Sequence, residues 1–300
     1  MPRLSLSFAL LLAFALPAFA QSPDKAKDDA EAIKKQKAAA AENLKTVKIT
    51  KPTLVETDGL LVYAEMTEEK LKPIAEAAQK AIERGLKDLK YGEKDRKWSG
   101  KLTVYVLADR TKEYTPFVKL VEQRSGKLDA DEMQTHTLKG QPHVAVTAAP
   151  GAKTADADLK AEAMAAVVAV LVDQKAGASV PTWIHTGMGK AISYRAESSG
   201  RLLEAHRTKV KGVITKAKAG TFKASDIWGD TKPKDAETLT VSLAEYLLYG
   251  ASAEALEKFL GGFRATDERQ EPNVSTALEA AGWKADDLDA AWKKWVLGIK

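Results

Sequence analysis

The chain has 300 residues, of which 46 are basic and 41 acidic, so its formal net charge is +5. These charges are spread along the sequence, whereas a nucleic-acid-binding face needs concentrated Lys and Arg, so we expect no nucleic-acid partner. The chain contains no cysteine, which excludes disulfide bonds, thiolate metal ligands and thiol nucleophiles. A chain of this length can bury a core large enough to fold without covalent cross-links.

Residues 1–20 have the pattern of a secretory signal peptide. Arg3 precedes an apolar run at 4–16, and Ala-Phe-Ala at 18–20 matches a cleavage site with small residues at its first and third positions. A membrane-spanning helix needs about 20 apolar residues, and this run is shorter. We therefore expect an exported protein, periplasmic or secreted, with no transmembrane segment in its mature part.

Residues 21–48 are rich in Ala, Lys, Asp and Glu and contain few large apolar side chains, such as Ile33 and Leu44. This composition favours a solvated helix that frays, or a poorly ordered tether. A basic interaction tail is the alternative interpretation, and the acidic residues interspersed among the lysines count against it.

The pattern over residues 49–150 predicts a sheet with helices. β-branched and alternating residues predict strands, and apolar residues at helical spacing predict amphipathic helices. The predicted elements are two short strands around a turn at 57–59, a helix at 67–90, a strand at 102–107, a short helix at 109–123 and an edge strand at 143–147.

Residues 151–300 are predicted to be mostly helical. Two helices joined by a short turn occupy residues 154–197, and the first of them is very apolar. Gly177 is a suitable stop for the first helix, and Pro181 suits the first position of the second because proline lacks the N–H that would have no partner there. Further helices are predicted at 202–219, 242–249, 252–260 and 282–296.

This helix pair resembles the core of the gluzincin metallopeptidases, the thermolysin-like and peptidase MA-like group. In that family the first helix carries His-Glu-x-x-His, and the second begins roughly Pro-x-Trp-Leu-x-Glu-Gly-x-Ala and supplies a third zinc ligand. The second helix here keeps the general character of that pattern, with Pro181, Trp183, Ile184, Gly187 and Ala191. The resemblance implies an α+β, zincin-like fold, with an N-terminal mixed-sheet subdomain at 49–150 and a mostly helical subdomain at 151–300.

The same resemblance places Ala161, Ala165 and Thr186 at the three zinc-ligand positions and Glu162 at the position of the general base. Alanine has no lone pair to offer, and the threonine hydroxyl is a poor zinc ligand. We therefore expect no cofactor and a catalytically inactive, peptidase-like protein. Its groove would bind a peptide or protein without cutting it, or would be purely structural.

Glu162 also has a simpler interpretation, as an ordinary polar residue with no function. On the helix it shares a stripe with Asp158, Ala165, Ala169 and Asp173, and this stripe is expected to face away from the core. Either interpretation leaves Glu162 as the one candidate catalytic residue of the helix pair.

The four histidines, His136, His143, His185 and His206, include no pair at helical i, i+4 spacing, so a histidine metal site is not expected. Two alternative functions remain open. One is an active hydrolase with a non-standard metal site around Glu162, the metal being recruited through His143 or His185. The other is an envelope-associated interaction protein that acts through the charged N-terminal segment.

Overall fold

We describe the protein from a computed structural model. It covers residues 23–92, 95, 98–129, 132–138, 140–150, 155–177, 180–217, 222–229, 233–266 and 272–299. The signal peptide predicted at residues 1–20 lies outside these ranges. Within them the chain combines a five-stranded mixed sheet with ten α-helices, which confirms the predicted α+β class.

All five strands precede residue 150, and most of the helices follow it. The strands are β1 (Thr53–Glu56), β2 (Leu60–Ala64), β3 (Leu102–Val106), β4 (Gln134–Thr137) and β5 (His143–Val146). The α-helices are α1 (Pro23–Thr46), α2 (Glu68–Asp88), α3 (Thr115–Leu120), α4 (Ala155–Ala176), α5 (Thr182–Ala196), α6 (Arg201–Lys216), α7 (Ala236–Tyr249), α8 (Ala253–Gly261), α9 (Val274–Ala280) and α10 (Ala285–Gly298). A π-helical turn at Arg110–Tyr114 precedes α3, and a 3-10 turn at Ala224–Ile227 precedes α7.

The strand order is β1-β2-β3-β5-β4, with β2, β3 and β5 parallel and the outer strands antiparallel to their neighbours. The prediction that residues 143–147 form an edge strand is therefore wrong. β5 lies between β3 and β4, and β4 is the edge. The sequence gives no sign of β4, because Gln-Thr-His-Thr contains no large apolar residue. β5 is buried along its length, and after His143 it continues with the apolar run Val-Ala-Val that is typical of an inner strand.

Helices cover both faces of the sheet. Alternate strand residues point to opposite sides, so each strand contributes to two separate apolar layers. Leu60, Val62 and Ala64 of β2 pack with α2 and α4, whereas Leu61 and Tyr63 pack on the other side with α1 and α3. The first layer extends without interruption into the C-terminal helices, so α4 lies at the centre of the core.

Helix α1 corrects the prediction of a solvated tether at residues 21–48. Gln36, Ala40 and Leu44 recur every four residues and are each at most 1% exposed. The Gln36 amide also donates a hydrogen bond of 3.1 Å to the backbone oxygen of Ser99. Small residues allow this helix to lie close against the sheet, so its burial cannot be recognised from the number of large apolar side chains.

The predicted C-terminal helices are confirmed as α6, α7, α8 and α10, each within a few residues of the expected ends except that α7 begins earlier. Helix α9, which is short, was not predicted. No helix in the described ranges is both long enough and apolar enough to cross a membrane.

Candidate functional site

The helix pair that carries the predicted site is α4 and α5. Helix α4 ends at Ala176, and Gly177 follows with a φ of +102°, a left-handed conformation that glycine adopts without strain. Pro181 is the N-cap of α5, one position earlier than the sequence suggested. The two helices therefore form the hairpin that the sequence predicted.

Helix α5 closes the hairpin tightly over Ala165. A Cβ atom placed on Gly189 would lie 2.5 Å from the backbone oxygen of Ala165 and 3.5 Å from the backbone nitrogen of Ala169. Ala165 is 1% exposed and Ala169 is fully buried. The expectation that this stripe of α4 faces away from the core is therefore wrong, because α5 covers it.

The other two predicted ligand positions are half-buried, and neither carries a metal-binding group. Ala161 lies one turn before Ala165 on α4. Thr186 precedes Gly189 by three residues on α5, so it lies about 4.5 Å along the helix from the residue that meets Ala165. The close approach of the two helices at Ala165 is made by the backbone of Gly189.

Glu162 is held in an ion pair. Its Oε1 lies 3.5 Å from Nζ of Lys190 on α5, and the same ammonium group lies 2.6 Å from Oε1 of Glu237 on α7. Burial raises the pKa of Glu162, and the neighbouring Lys190 opposes that rise. Burial disfavours the charge on Lys190, but the carboxylates of Glu162 and Glu237 outweigh it and raise the pKa of the lysine. The candidate base is thus paired with a cation that belongs to the protein.

A second group of polar side chains lies at the other end of the hairpin. It consists of His136 on the edge strand β4, Asp173 in the last turns of α4 and His185 in the first turn of α5. Nε2 of His136 is hydrogen-bonded to Oδ2 of Asp173. The two histidine rings meet edge to face, with their centroids 5.0 Å apart and their planes at 79°. We call these three residues the His–Asp–His cluster.

The His–Asp–His cluster offers three potential metal ligands in a small volume. One ring nitrogen of each histidine and one oxygen of Asp173 lie within 4.8 Å of one another. Burial lowers the pKa of His185 to about 4, against the attraction of the Asp173 carboxylate. His185 is therefore a neutral imidazole at neutral pH, the form that can donate a lone pair to a metal.

Helical spacing cannot reveal this cluster, because its members come from three elements. His136 and His185 are 49 residues apart in the chain. They meet only because β4 is the sheet edge next to α4, and β4 is the strand that the sequence does not predict. The sequence offers only a short polar segment ahead of two apolar helices, and this arrangement is too common to predict a cluster of histidines.

The remaining histidines lie elsewhere. His143 packs on the opposite face of the sheet, where its ring contacts Tyr105 and Phe117 at centroid distances of 5.5 and 5.7 Å. His206 lies on α6 against Tyr194. His143 therefore cannot join His185 in a site on the α4 side of the sheet.

A cavity of about 510 Å³ lies between α6, α7 and the end of α10. It is lined in part by His206, Arg207 and Glu245. The Glu245 side chain, which is 2% exposed, accepts hydrogen bonds of 2.7 Å from Arg207 and 2.9 Å from Arg195. Neither Glu162 nor the His–Asp–His cluster lines this cavity, so it is separate from both.

Comparison with protein-family models finds no match for this chain, and a search of curated proteins finds none either.

Proposed function

We propose that this chain is an exported, non-catalytic protein with a metallopeptidase-like scaffold, and that it acts by binding an extended peptide or protein segment. The observation that carries the proposal is that Glu162 is ion-paired with Lys190. In a zinc peptidase this carboxylate must face a metal-bound water. Here it lies 3.5 Å from Lys190, and its side chain is 15% exposed.

The closure of the hairpin supports the same proposal. The α5 backbone at Gly189 lies close against the backbone of Ala165, and Ala165 is 1% exposed, so a histidine at position 165 would have to displace packed neighbours. The α4–α5 pair would therefore serve as a structural core element, while binding would take place elsewhere on the molecule.

Edge strand β4 is the element we assign to binding. A sheet edge presents backbone N–H and C=O groups that can pair with an added strand. The backbone N–H of Thr147 donates to the backbone oxygen of Met133, just before β4. Because antiparallel pairing alternates, the backbone groups of Gln134 and His136 then point to the outer side.

A protease assay tests the non-catalytic part. We would incubate the purified protein with fluorescent casein and with a mixed peptide library, with and without added zinc, beside a Glu162→Gln variant. We expect no cleavage by either protein. Zinc-dependent cleavage by the wild type that the variant lacks would overturn the proposal.

Peptide selection tests the binding part. A displayed library of random peptides would be selected on the protein, and amide hydrogen exchange would be measured with the selected peptides bound. We expect slower exchange at Gln134 and His136, whose amides face away from β5. Protection confined to the 510 Å³ cavity would instead assign binding to that cavity.

A further inference from the structure

The His–Asp–His cluster uses none of the family's three zinc-ligand positions, although His185 directly precedes Thr186 in the chain. Asp173 follows Glu162 by eleven residues on α4, which is about 16.5 Å along a helix. None of the cluster's three residues is one of the ligand positions at Ala161, Ala165 and Thr186. A metal ion bound by this cluster would therefore have a ligand set different from that of the peptidase-like site.

Its geometry is close to that of a metal centre. The three potential ligand atoms are at most 4.8 Å apart. Ligands bound to one zinc ion at about 2.0–2.1 Å in tetrahedral geometry lie about 3.3 Å from one another. A movement of about 1.5 Å, within the reach of side-chain rotation, would bring the widest pair to that separation.

Unpaired buried atoms favour a ligand over a purely structural hydrogen bond. The contact between His136 and Asp173 uses one carboxylate oxygen only. Oδ1 of Asp173 and Nδ1 of His185 are both buried and have no hydrogen-bond partner among the described residues. Buried polar atoms are normally satisfied, so these two atoms call for a partner that the described residues do not supply.

The ion could also reach the cluster from solvent. The side chains of His136 and Asp173 are 13% and 19% exposed, and His185 is half-buried. A bound ion would thus have protein ligands on one side and room for water on the other. Two imidazoles and one carboxylate with an open position suit zinc and its neighbours in the first transition row.

We propose that His136, Asp173 and His185 together bind one divalent transition-metal ion, with zinc the best match to this ligand set. The ion joins the edge strand β4 to the connected ends of α4 and α5, so it fastens the sheet edge to the central hairpin. Mg²⁺ and Ca²⁺, which prefer sites made of oxygen ligands, are not expected to bind. The proposal stands independently of the non-catalytic function.

The test is a titration of purified, untagged, metal-stripped protein with Zn²⁺ and Co²⁺. We expect one equivalent to bind, the melting temperature to rise with metal concentration, and the Co²⁺ complex to show the visible absorption of a four- or five-coordinate ion. Mg²⁺ and Ca²⁺ should leave the melting temperature unchanged. Failure of the wild-type protein to bind one equivalent of Zn²⁺ or Co²⁺ would overturn the proposal without any variant.

Variants assign the ion to these residues. His185→Ala and the nearly isosteric Asp173→Asn should each weaken Zn²⁺ binding by at least about tenfold. The control is His206→Gln, which removes a histidine outside the cluster and should leave Zn²⁺ affinity unchanged. Folding of each variant would be checked by circular dichroism. Equal Zn²⁺ affinity in the control and in folded cluster variants would refute the assignment.

Discussion

At the scale of single residues, the role open to Glu162 depends on the charged side chain that is paired with it. Glu162 could be identified from the sequence as a candidate base, but its partner could not, because Lys190 follows it by 28 residues on another helix. The pair also explains why a carboxylate can be tolerated in so apolar a helix. A buried charge is costly unless an opposite charge compensates it.

Removing Lys190 should therefore destabilise the fold. Lys190→Ala leaves Glu162 without its cation, and since both side chains keep about 15% exposure, we expect a loss of about 2–3 kcal/mol in the free energy of unfolding. Adding Glu162→Gln should recover part of that loss. Urea denaturation of the two single variants and the double variant would measure the coupling, and simple additivity would show that the pair is not formed.

A control is available in Glu237, the second partner of Lys190. Its side chain is 76% exposed, so Glu237→Gln should change the stability by less than about 1 kcal/mol.

His206 makes stability depend on pH. Burial lowers its pKa to about 4; Glu245 and Glu237 oppose this shift, whereas Lys209 and Arg207 reinforce it. In the unfolded chain a histidine binds a proton below pH about 6.5. The unfolded state then holds more protons, so stability is complete above pH 6.5 and falls as the pH decreases toward 4.

We expect this histidine to contribute a loss of about 1 kcal/mol per pH unit within that window. Urea denaturation between pH 8 and 4.5 should show a smaller decrease for His206→Gln than for the wild type. His185, whose pKa is lowered in the same way, accounts for a decrease that remains in the variant. Identical pH dependence in the two proteins would contradict the account.

At the scale of elements, the sequence predicts the apolar ones well and the others poorly. The hairpin of α4 and α5, helix α2 and strand β3 follow from apolar runs and helical spacing. Strand β4 and the packing of α1 do not, because polar and small side chains carry no periodic signal. The His–Asp–His cluster depends on β4, so it could not be anticipated.

Two glycines in helices test the contact between α4 and α5. A methyl group at Gly189 would clash with the backbone of Ala165, whereas a Cβ at Gly212 on α6 would have no neighbour within 4 Å. Gly212→Ala should stabilise the protein by about 0.5–1 kcal/mol through helix propensity. Gly189→Ala should instead destabilise the protein, lowering the free energy of unfolding by about 1–3 kcal/mol. Thermal and urea unfolding would measure the stability of both variants. Stabilisation by both substitutions would show that α5 does not pack against Ala165 at Gly189.

At the scale of the whole molecule, α1 is part of the folded unit rather than an attachment to it. Leu44 is 1% exposed and packs in the layer that α1 and α3 form on the sheet. Deleting this helix would uncover that face of the sheet, so the deletion would affect folding as well as any interaction made through the N-terminal segment.

Leu44→Ala measures the contribution of α1. We expect a loss of about 2–4 kcal/mol, as for other leucines removed from a core. The matched control is Leu202→Ala on α6, where the leucine is 41% exposed and a loss below about 1 kcal/mol is expected. Equal, small effects at the two positions would mean that α1 does not pack on the sheet.

We propose above all that the α4–α5 hairpin is closed around an ion-paired Glu162 and leaves no place for a catalytic metal. Zinc-edge anomalous diffraction from crystals grown with zinc tests it most directly. We predict that the position beside Glu162 carries no zinc peak, that Lys190 lies there, and that a peak lies between His136, Asp173 and His185. A zinc ion next to Glu162, with a bound water facing its carboxylate, would contradict the account.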